Sequence, residues 1–118
     1  MVPNLTETDE DALRGIVNYC DRAKQHIEKF GHSYDAFEHN LAFQEACSFD
    51  AIQIGESARH LSDEYKTSHP EIPWHQVIAL RNNVAHAYGH IDIEVLWETI
   101  TEDFPALRAF CAKQIGLE

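Results

Sequence analysis

Residues 41–66 read LAFQEACSFDAIQIGESARHLSDEYK, and this stretch decides the fold. On a helix its apolar residues cover several faces rather than one stripe, which is typical of a helix at the centre of a bundle. Those residues are Leu41, Phe43, Ala46, Cys47, Phe49, Ile52, Ile54, Ala58 and Leu61. Gly55 lies among them, and a glycine within such a helix indicates that a neighbouring element approaches closely. The sequence therefore predicts a long central helix from Leu41 to Lys66.

The residues before this stretch predict one long helix and one short helical turn. The long helix begins near Thr8, which can cap it together with Asp11, and continues to Phe30, where Gly31 ends it. Apolar residues recur along it at steps of three and four, as one face of an amphipathic helix requires. They are Leu13, Ile16, Val17, Cys20, Ala23, Ile27 and Phe30. The helical turn is expected at Tyr34–Phe37.

The residues after this stretch predict a loop at Thr67–Pro73 and two further helices. Pro73 suits the first turn of the third helix, which should end before Gly89. Asp92 can cap the fourth helix, and Pro105 should kink it or split it in two.

The chain as a whole is predicted to be a single all-α domain covering residues 1–118. Its length of 118 residues fits one domain, and five glycines with four prolines leave little material for hairpins. Four to five helices joined by short links form an antiparallel bundle. The fold class is therefore an antiparallel four- to five-helix bundle.

Composition narrows the classes of function. Twenty Asp and Glu against nine Lys and Arg give a net charge of −11, which argues against broad binding to nucleic-acid backbones. If the protein contacts RNA or DNA, it must do so through a local site within an acidic surface. The other possibility is that its partner is a basic molecule. No apolar run approaches the roughly 18 residues of a membrane helix, and no signal-peptide pattern opens the chain. Three cysteines in apolar helical surroundings, Cys20, Cys47 and Cys111, are expected to be buried thiols in a reducing compartment. We therefore expect a soluble, cytoplasmic protein.

Two charged residues interrupt the apolar pattern. Arg81 falls in the stripe of the third helix where a leucine would be expected, and Glu56 interrupts the central helix in the same way. Charges on apolar faces need partners, so an Arg81–Glu56 ion pair across the bundle is one interpretation. The glutamate could also orient a functional arginine.

A compact polar set follows Arg81 in the sequence, made of Asn82, His86, Tyr88 and His90. On a regular helix Arg81 and His86 point about 140° apart. Either the helix deforms near Gly89, or a second copy of the chain completes the site across a two-fold axis.

This set has the chemistry for RNA cleavage without a metal. An imidazole can take the proton of a ribose 2′-hydroxyl or protonate the leaving oxygen, and a guanidinium can hold two phosphate oxygens. A solvated helix end is the plain alternative. The His86/His90 spacing could also bind a metal, but Gly89 interrupts it and no third ligand is obvious beyond Asp92, His60 or His75. The other histidines considered, His26, His32 and His39, are interpreted as ordinary surface residues, and a cysteine nucleophile is not expected.

The string RNNVAHAY, residues 81–88, matches an Arg-x4-His-x-Tyr signature. Together with AIQIGESARHLSDEY (51–65), IPW (72–74) and HIDIEVLWETITEDFPAL (90–107), it resembles the HepT-like toxins, which are minimal members of the HEPN superfamily. The resemblance covers most of the chain and is looser in the first helix.

This resemblance implies a homodimeric helical bundle that acts as a ribonuclease toxin. It implies that Arg81 and His86 are the catalytic pair, assisted by Asn82, in a cleft formed by both subunits, with no metal or cofactor. The implied partner is an MNT-type nucleotidyltransferase antitoxin that transfers AMP onto Tyr88. The alternative function is a non-catalytic module that binds a nucleotidyltransferase or a nucleotide. For cleavage, a local positive cleft is expected from Arg59, His60, Arg81, His86 and His90.

Overall fold

The computed structural model describes residues 5–85 and 92–117, and every regular element in these ranges is helical. The helices are α1 (Glu7–Phe30), α2 (Tyr34–Glu38), α3 (Leu41–Arg59), α4 (Asp63–Ser68), α5 (Trp74–Ala85), α6 (Ile93–Glu98) and α7 (Phe104–Gln114), with a π-helical turn at Thr99–Asp103. The predicted all-α fold and the predicted turn after α1 are confirmed. Among the described residues, no helix has the length and apolar character to cross a membrane.

Helix α1 begins two residues earlier than predicted. Its capping residue is Thr6, whose side-chain oxygen accepts a hydrogen bond from the Asp9 backbone N–H at 3.1 Å, so the assignment of Thr8 as the cap is wrong. Both threonines precede acidic residues, and local sequence does not separate them. The end of α1 agrees with the prediction, because Gly31 follows it at φ 128°, a conformation that favours glycine.

The predicted continuous helix 41–66 is wrong, because the structure divides it between α3 and α4. Ser62 caps α4, and the buried carboxylate of Asp9 holds it in place. The Ser62 backbone N–H donates to Asp9 Oδ1 at 2.7 Å, and the Ser62 hydroxyl donates to Oδ2 at 2.8 Å. This contact supplies the backbone N–H with a partner outside the helix and stabilises a break at that position.

Helix α3 lies between α1 and α5, while α7 packs on α1. Pairs at the two ends of α3 show that it runs antiparallel to α1: Asp9 binds Ser62, whereas Phe30 stacks on Phe43 with ring centroids 5.2 Å apart. The core formed here has fully buried side chains from three helices, including Leu13, Ile16, Phe37, Phe43 and Ile54. The predicted central position of α3 is confirmed.

The C-terminal helical unit, which consists of α6, the π-helical turn and α7, is interrupted just before Pro105, as predicted. At the π-helical turn the Phe104 backbone N–H donates to the Thr99 carbonyl, five residues back. Pro105 follows at the start of α7. The wider turn accommodates a residue that has no N–H and whose ring would crowd the preceding α-helical turn.

The three cysteines are buried and unpaired, as predicted. Burial raises the pKa of each thiol, to about 12 for Cys47 and for Cys111. A thiol with so high a pKa carries almost no thiolate at neutral pH, so the structure gives no support to a cysteine nucleophile.

Candidate functional site

Gly55 brings the backbone of α5 directly onto α3. A Cβ atom at this position would lie 2.7 Å from the Arg81 backbone nitrogen and 3.0 Å from the Val77 carbonyl oxygen. A side chain of any size would therefore push α5 away. The predicted close approach at Gly55 is confirmed, and it places Arg81 beside the residue that follows Gly55 in the sequence.

That residue is Glu56, and it forms the predicted ion pair with Arg81. Arg81 Nε lies 2.7 Å from Glu56 Oε1, and Arg81 Nη1 donates to Asn82 Oδ1 at 3.1 Å. Both charges remain in contact with solvent, since the side chains are 46% and 31% exposed. Although both residues interrupt apolar patterns, α5 leaves the Arg81 guanidinium accessible to solvent.

Glu56 also binds two further basic side chains. Arg59 is the last residue of the same helix, and His60 directly follows that helix. Arg59 Nη2 lies 2.6 Å from Glu56 Oε2, and His60 Nε2 lies 3.2 Å from the same oxygen. The hydrogen bond from Arg59 is the main reason why the pKa of Glu56 is lowered, and Glu56 in turn raises the pKa of Arg59.

We call this group the Glu56 cluster, defined as Glu56, Arg59, His60, Arg81 and Asn82. It combines two guanidinium groups and one imidazole with a single carboxylate, so its local charge is positive on a chain whose net charge is −11. Exposed guanidinium groups are well suited to bind phosphate oxygens in pairs. The cluster therefore offers a local anion-binding surface.

Several predicted site residues lie outside the described residues. His86, Tyr88 and His90 fall in the range 86–91, as does the predicted end of the third helix before Gly89. Of the five residues expected to form a local positive cleft, the structure brings three together around Glu56. Their convergence with His86 stays a prediction.

The surroundings of His26 differ from the prediction. His26 was expected to be an ordinary surface residue, yet its Nδ1 lies 2.7 Å from Oδ2 of Asp50, whose side chain is only 1% exposed. Asp50 was not among the predicted site residues. Its position three residues after Cys47, within an apolar segment, was a usable signal of burial.

A cavity of about 560 Å³ lies between α1 and the C-terminal helical unit. It is lined by residues between Cys20 and His32 and between Ile100 and Ala109, and the Asp21–Arg108 ion pair at 3.0 Å lies in its wall. The Glu56 cluster contributes no residue to this lining. The cavity and the cluster are therefore separate features.

The family model and the three similar proteins described below all have names that refer to a ribonuclease. A family model described as ribonuclease HepT-like matches residues 16–114. A Thermococcus cleftensis protein named as a probable ribonuclease HepT is 42% identical over 55 residues, which cover 47% of this chain and 50% of that protein. A Methanocaldococcus jannaschii protein whose name marks it as a candidate RNase is 31% identical over 75 residues, covering 64% of this chain and 69% of that protein. A Caldanaerobacter subterraneus protein, also named as a candidate RNase, is 25% identical over 101 residues, covering 86% of this chain and 88% of that protein. No solved structure matches the chain significantly.

Proposed function

The chain belongs to the ribonuclease HepT-like family, and from this premise we propose that it is a metal-independent endoribonuclease toxin of the cytoplasm. The observation that carries this proposal is the exposed Arg81 guanidinium, held by Glu56 and Asn82 within a locally positive cluster. A site of this kind can bind one phosphate group although the rest of the chain repels a polyanion.

In the proposed reaction His86 takes the proton from a ribose 2′-hydroxyl, and the freed oxygen attacks the adjacent phosphorus. The bond from phosphorus to the 5′-oxygen breaks, and the leaving oxygen is protonated by an imidazolium. Arg81 stabilises the negative charge that develops on the phosphate oxygens, and Asn82 holds Arg81 or the phosphate in position. The products are a 2′,3′-cyclic phosphate, or the 3′-phosphate after hydrolysis, and a 5′-hydroxyl.

Glu56 is proposed as a positioning residue. Its ion pairs with Arg81 and Arg59 restrict the directions in which the two guanidinium groups can point. A positioned guanidinium loses less side-chain entropy when it binds phosphate than a freely moving one does. Arg59 and His60 would contribute positive charge for the incoming RNA.

The site is proposed to form between two copies of the chain. On a regular helix the side chains of Arg81 and His86 diverge by about 140°, so one helix does not easily direct both to the same phosphate. A two-fold axis beside α5 would bring two copies of each residue into one cleft. The proposal is therefore a homodimer or a larger assembly.

The experiment that tests this function is RNA cleavage in excess EDTA. Purified chain should cut RNA there, and the new ends should be cyclic phosphate or 3′-phosphate with 5′-hydroxyl, because no step uses a metal. Circular dichroism in the same buffer controls for folding. A folded chain that cuts only after Mg²⁺ is added contradicts the mechanism. A folded chain that cuts under no condition but forms a stable complex with a nucleotidyltransferase supports the interaction module instead.

We also propose that a nucleotidyltransferase antitoxin of the MNT type neutralises the toxin by transferring AMP onto Tyr88. The phenolic oxygen of Tyr88 would lose its proton to solvent and attack the α-phosphorus of ATP, and pyrophosphate would leave. Tyr88 stands two residues after His86 in the sequence. A bulky, anionic AMP group there would exclude RNA and compete for Arg81.

Incubation of the chain with such a partner and ATP should add one AMP, which mass spectrometry of peptides should locate on Tyr88. Tyr88→Phe should stay unmodified. Tyr19→Phe is the matched control, because Tyr19 lies on α1, packs edge-on against Phe49, and should leave the modification intact. AMP on any other residue, or modification of Tyr88→Phe, would discard the assignment.

A further inference from the structure

A second polar group lies between α1 and α3, apart from the Glu56 cluster. It consists of His26 on α1 and of Cys47 and Asp50 on α3. The imidazole nitrogen, the thiol sulfur and a carboxylate oxygen of these three residues all lie within 4.8 Å of one another. Asp50 and Glu56 are six positions apart on α3 and therefore point about 120° away from each other. Asp50 therefore contacts α1 through His26, whereas Glu56 contacts α5 through Arg81.

Among the described residues, only one of the two carboxylate oxygens of Asp50 is paired. Its Oδ2 pairs with His26, but its Oδ1 is buried and has no hydrogen-bond partner within the part of the chain that the structure describes. Burial raises the pKa of Asp50 to about 6, although His26 acts in the opposite direction. A buried carboxylate oxygen without a partner costs free energy, and native proteins rarely leave one unless an ion or another group satisfies it.

The arrangement matches the way that helical bundles hold metal ions. Cys47 and Asp50 are three residues apart on one face of α3, and His26 projects from the neighbouring helix. Imidazole, thiolate and carboxylate together suit Zn²⁺, which takes four ligands at about 2.0–2.3 Å. Such a site separates its ligand atoms by roughly 3.3–3.8 Å, so small side-chain movements would suffice.

Burial indicates how the site would be completed. Cys47 is fully buried, whereas the side chain of His26 is 28% exposed. The imidazole edge therefore faces solvent, through which an ion can enter and a water molecule can act as the fourth ligand.

We propose that His26, Cys47 and Asp50 bind a divalent transition-metal ion of the Zn²⁺ type, which links α1 to α3. On binding, the Cys47 thiol releases its proton to water and the resulting thiolate coordinates the ion. The site is structural and has no part in the RNA chemistry proposed above.

Cobalt titration tests the site, because Co²⁺ replaces Zn²⁺ and reports its ligands by absorption. Metal-free chain should bind one Co²⁺ and gain both a thiolate-to-cobalt charge-transfer band and intense tetrahedral d–d bands, and Zn²⁺ should remove them. Cys47→Ser should abolish the charge-transfer band. Cys111→Ser is the control, because Cys111 is equally buried but lies outside the group and should keep the band.

His26→Gln provides a second variant that does not depend on changing a fully buried side chain. It should lower cobalt affinity at least about 10-fold while the circular dichroism spectrum is unchanged. A wild-type chain that binds Co²⁺ without a charge-transfer band would overturn the proposal. Such binding would instead indicate oxygen and nitrogen ligands, such as the exposed group of Asp35, Glu38 and His39. A band that persists in Cys47→Ser, or the absence of binding, would overturn it equally.

Discussion

Arg81→Ala should lower RNA cleavage by about 100- to 1000-fold, the usual effect of removing one donor that stabilises charge in a transition state. The chain should stay folded. Glu56 keeps its contacts to Arg59 and His60 when Arg81 is removed, and it is partly exposed, so no buried charge is left without a partner. A solvent-exposed ion pair contributes about 1 kcal/mol or less to stability.

The measurement compares initial cleavage rates and thermal unfolding for Arg81→Ala, His86→Ala and a matched control. Arg14→Ala is that control, because Arg14 is a similarly exposed arginine whose Nη2 pairs with Glu10 at 2.7 Å on α1. It should cleave like the wild type. If Arg81→Ala cleaves equally well, Arg81 serves only as a partner of Glu56. In that case the only effect of Arg81→Ala should be a loss of stability of about 1 kcal/mol or less, part of which the Arg81→Ala/Glu56→Gln double variant should recover.

Gly55→Ala should destabilise the chain and also reduce cleavage. The added methyl group would lie 2.7 Å from the Arg81 backbone nitrogen, and a backbone atom can move away only if α5 moves. Overpacking of this kind costs about 1–3 kcal/mol, against which alanine returns up to about 1 kcal/mol of helix propensity. Displacement of α5 would also move Arg81 relative to Glu56.

Gly15→Ala is the matched control for Gly55→Ala, because its Cβ would also meet an atom closely. That atom is the hydroxyl oxygen of Ser57, at 2.6 Å, which can rotate away, and the Ser57 Cβ at 3.3 Å then needs to shift by only a few tenths of an ångström. Chemical denaturation should therefore show Gly15→Ala close to the wild type and Gly55→Ala clearly less stable. Equal stability of the two variants would show that α5 is free to shift on α3.

The positions of α1 and of the interrupted C-terminal unit could be predicted because each has an apolar pattern and a local signal in the sequence. Gly31 ends α1, and Pro105 marks the interruption in the last unit. The break between α3 and α4 could not be predicted in this way. It depends on Asp9, which is 53 residues away from Ser62 and reaches it only once α1 and α3 have packed.

The candidate site was predictable where polar residues violate a pattern. Arg81 and Glu56 stand out because each occupies an apolar position of its helix, and their pairing follows. Their exposure did not follow, since a helical wheel does not show where a neighbouring helix ends. His26 gave no signal in the sequence, because its partner Asp50 lies on another helix, α3.

The positive surface around Glu56 also has a consequence for how the chain would meet the proposed RNA substrate in solution. Most of a chain with a net charge of −11 repels a polyanion at long range, whereas Arg59 and Arg81 attract it at short range. At physiological ionic strength the repulsion fades beyond about 8 Å, so encounters become productive mainly when this face points toward the strand. If the chain binds RNA as proposed, added salt weakens both the long-range repulsion that hinders approach and the short-range attraction that holds the strand.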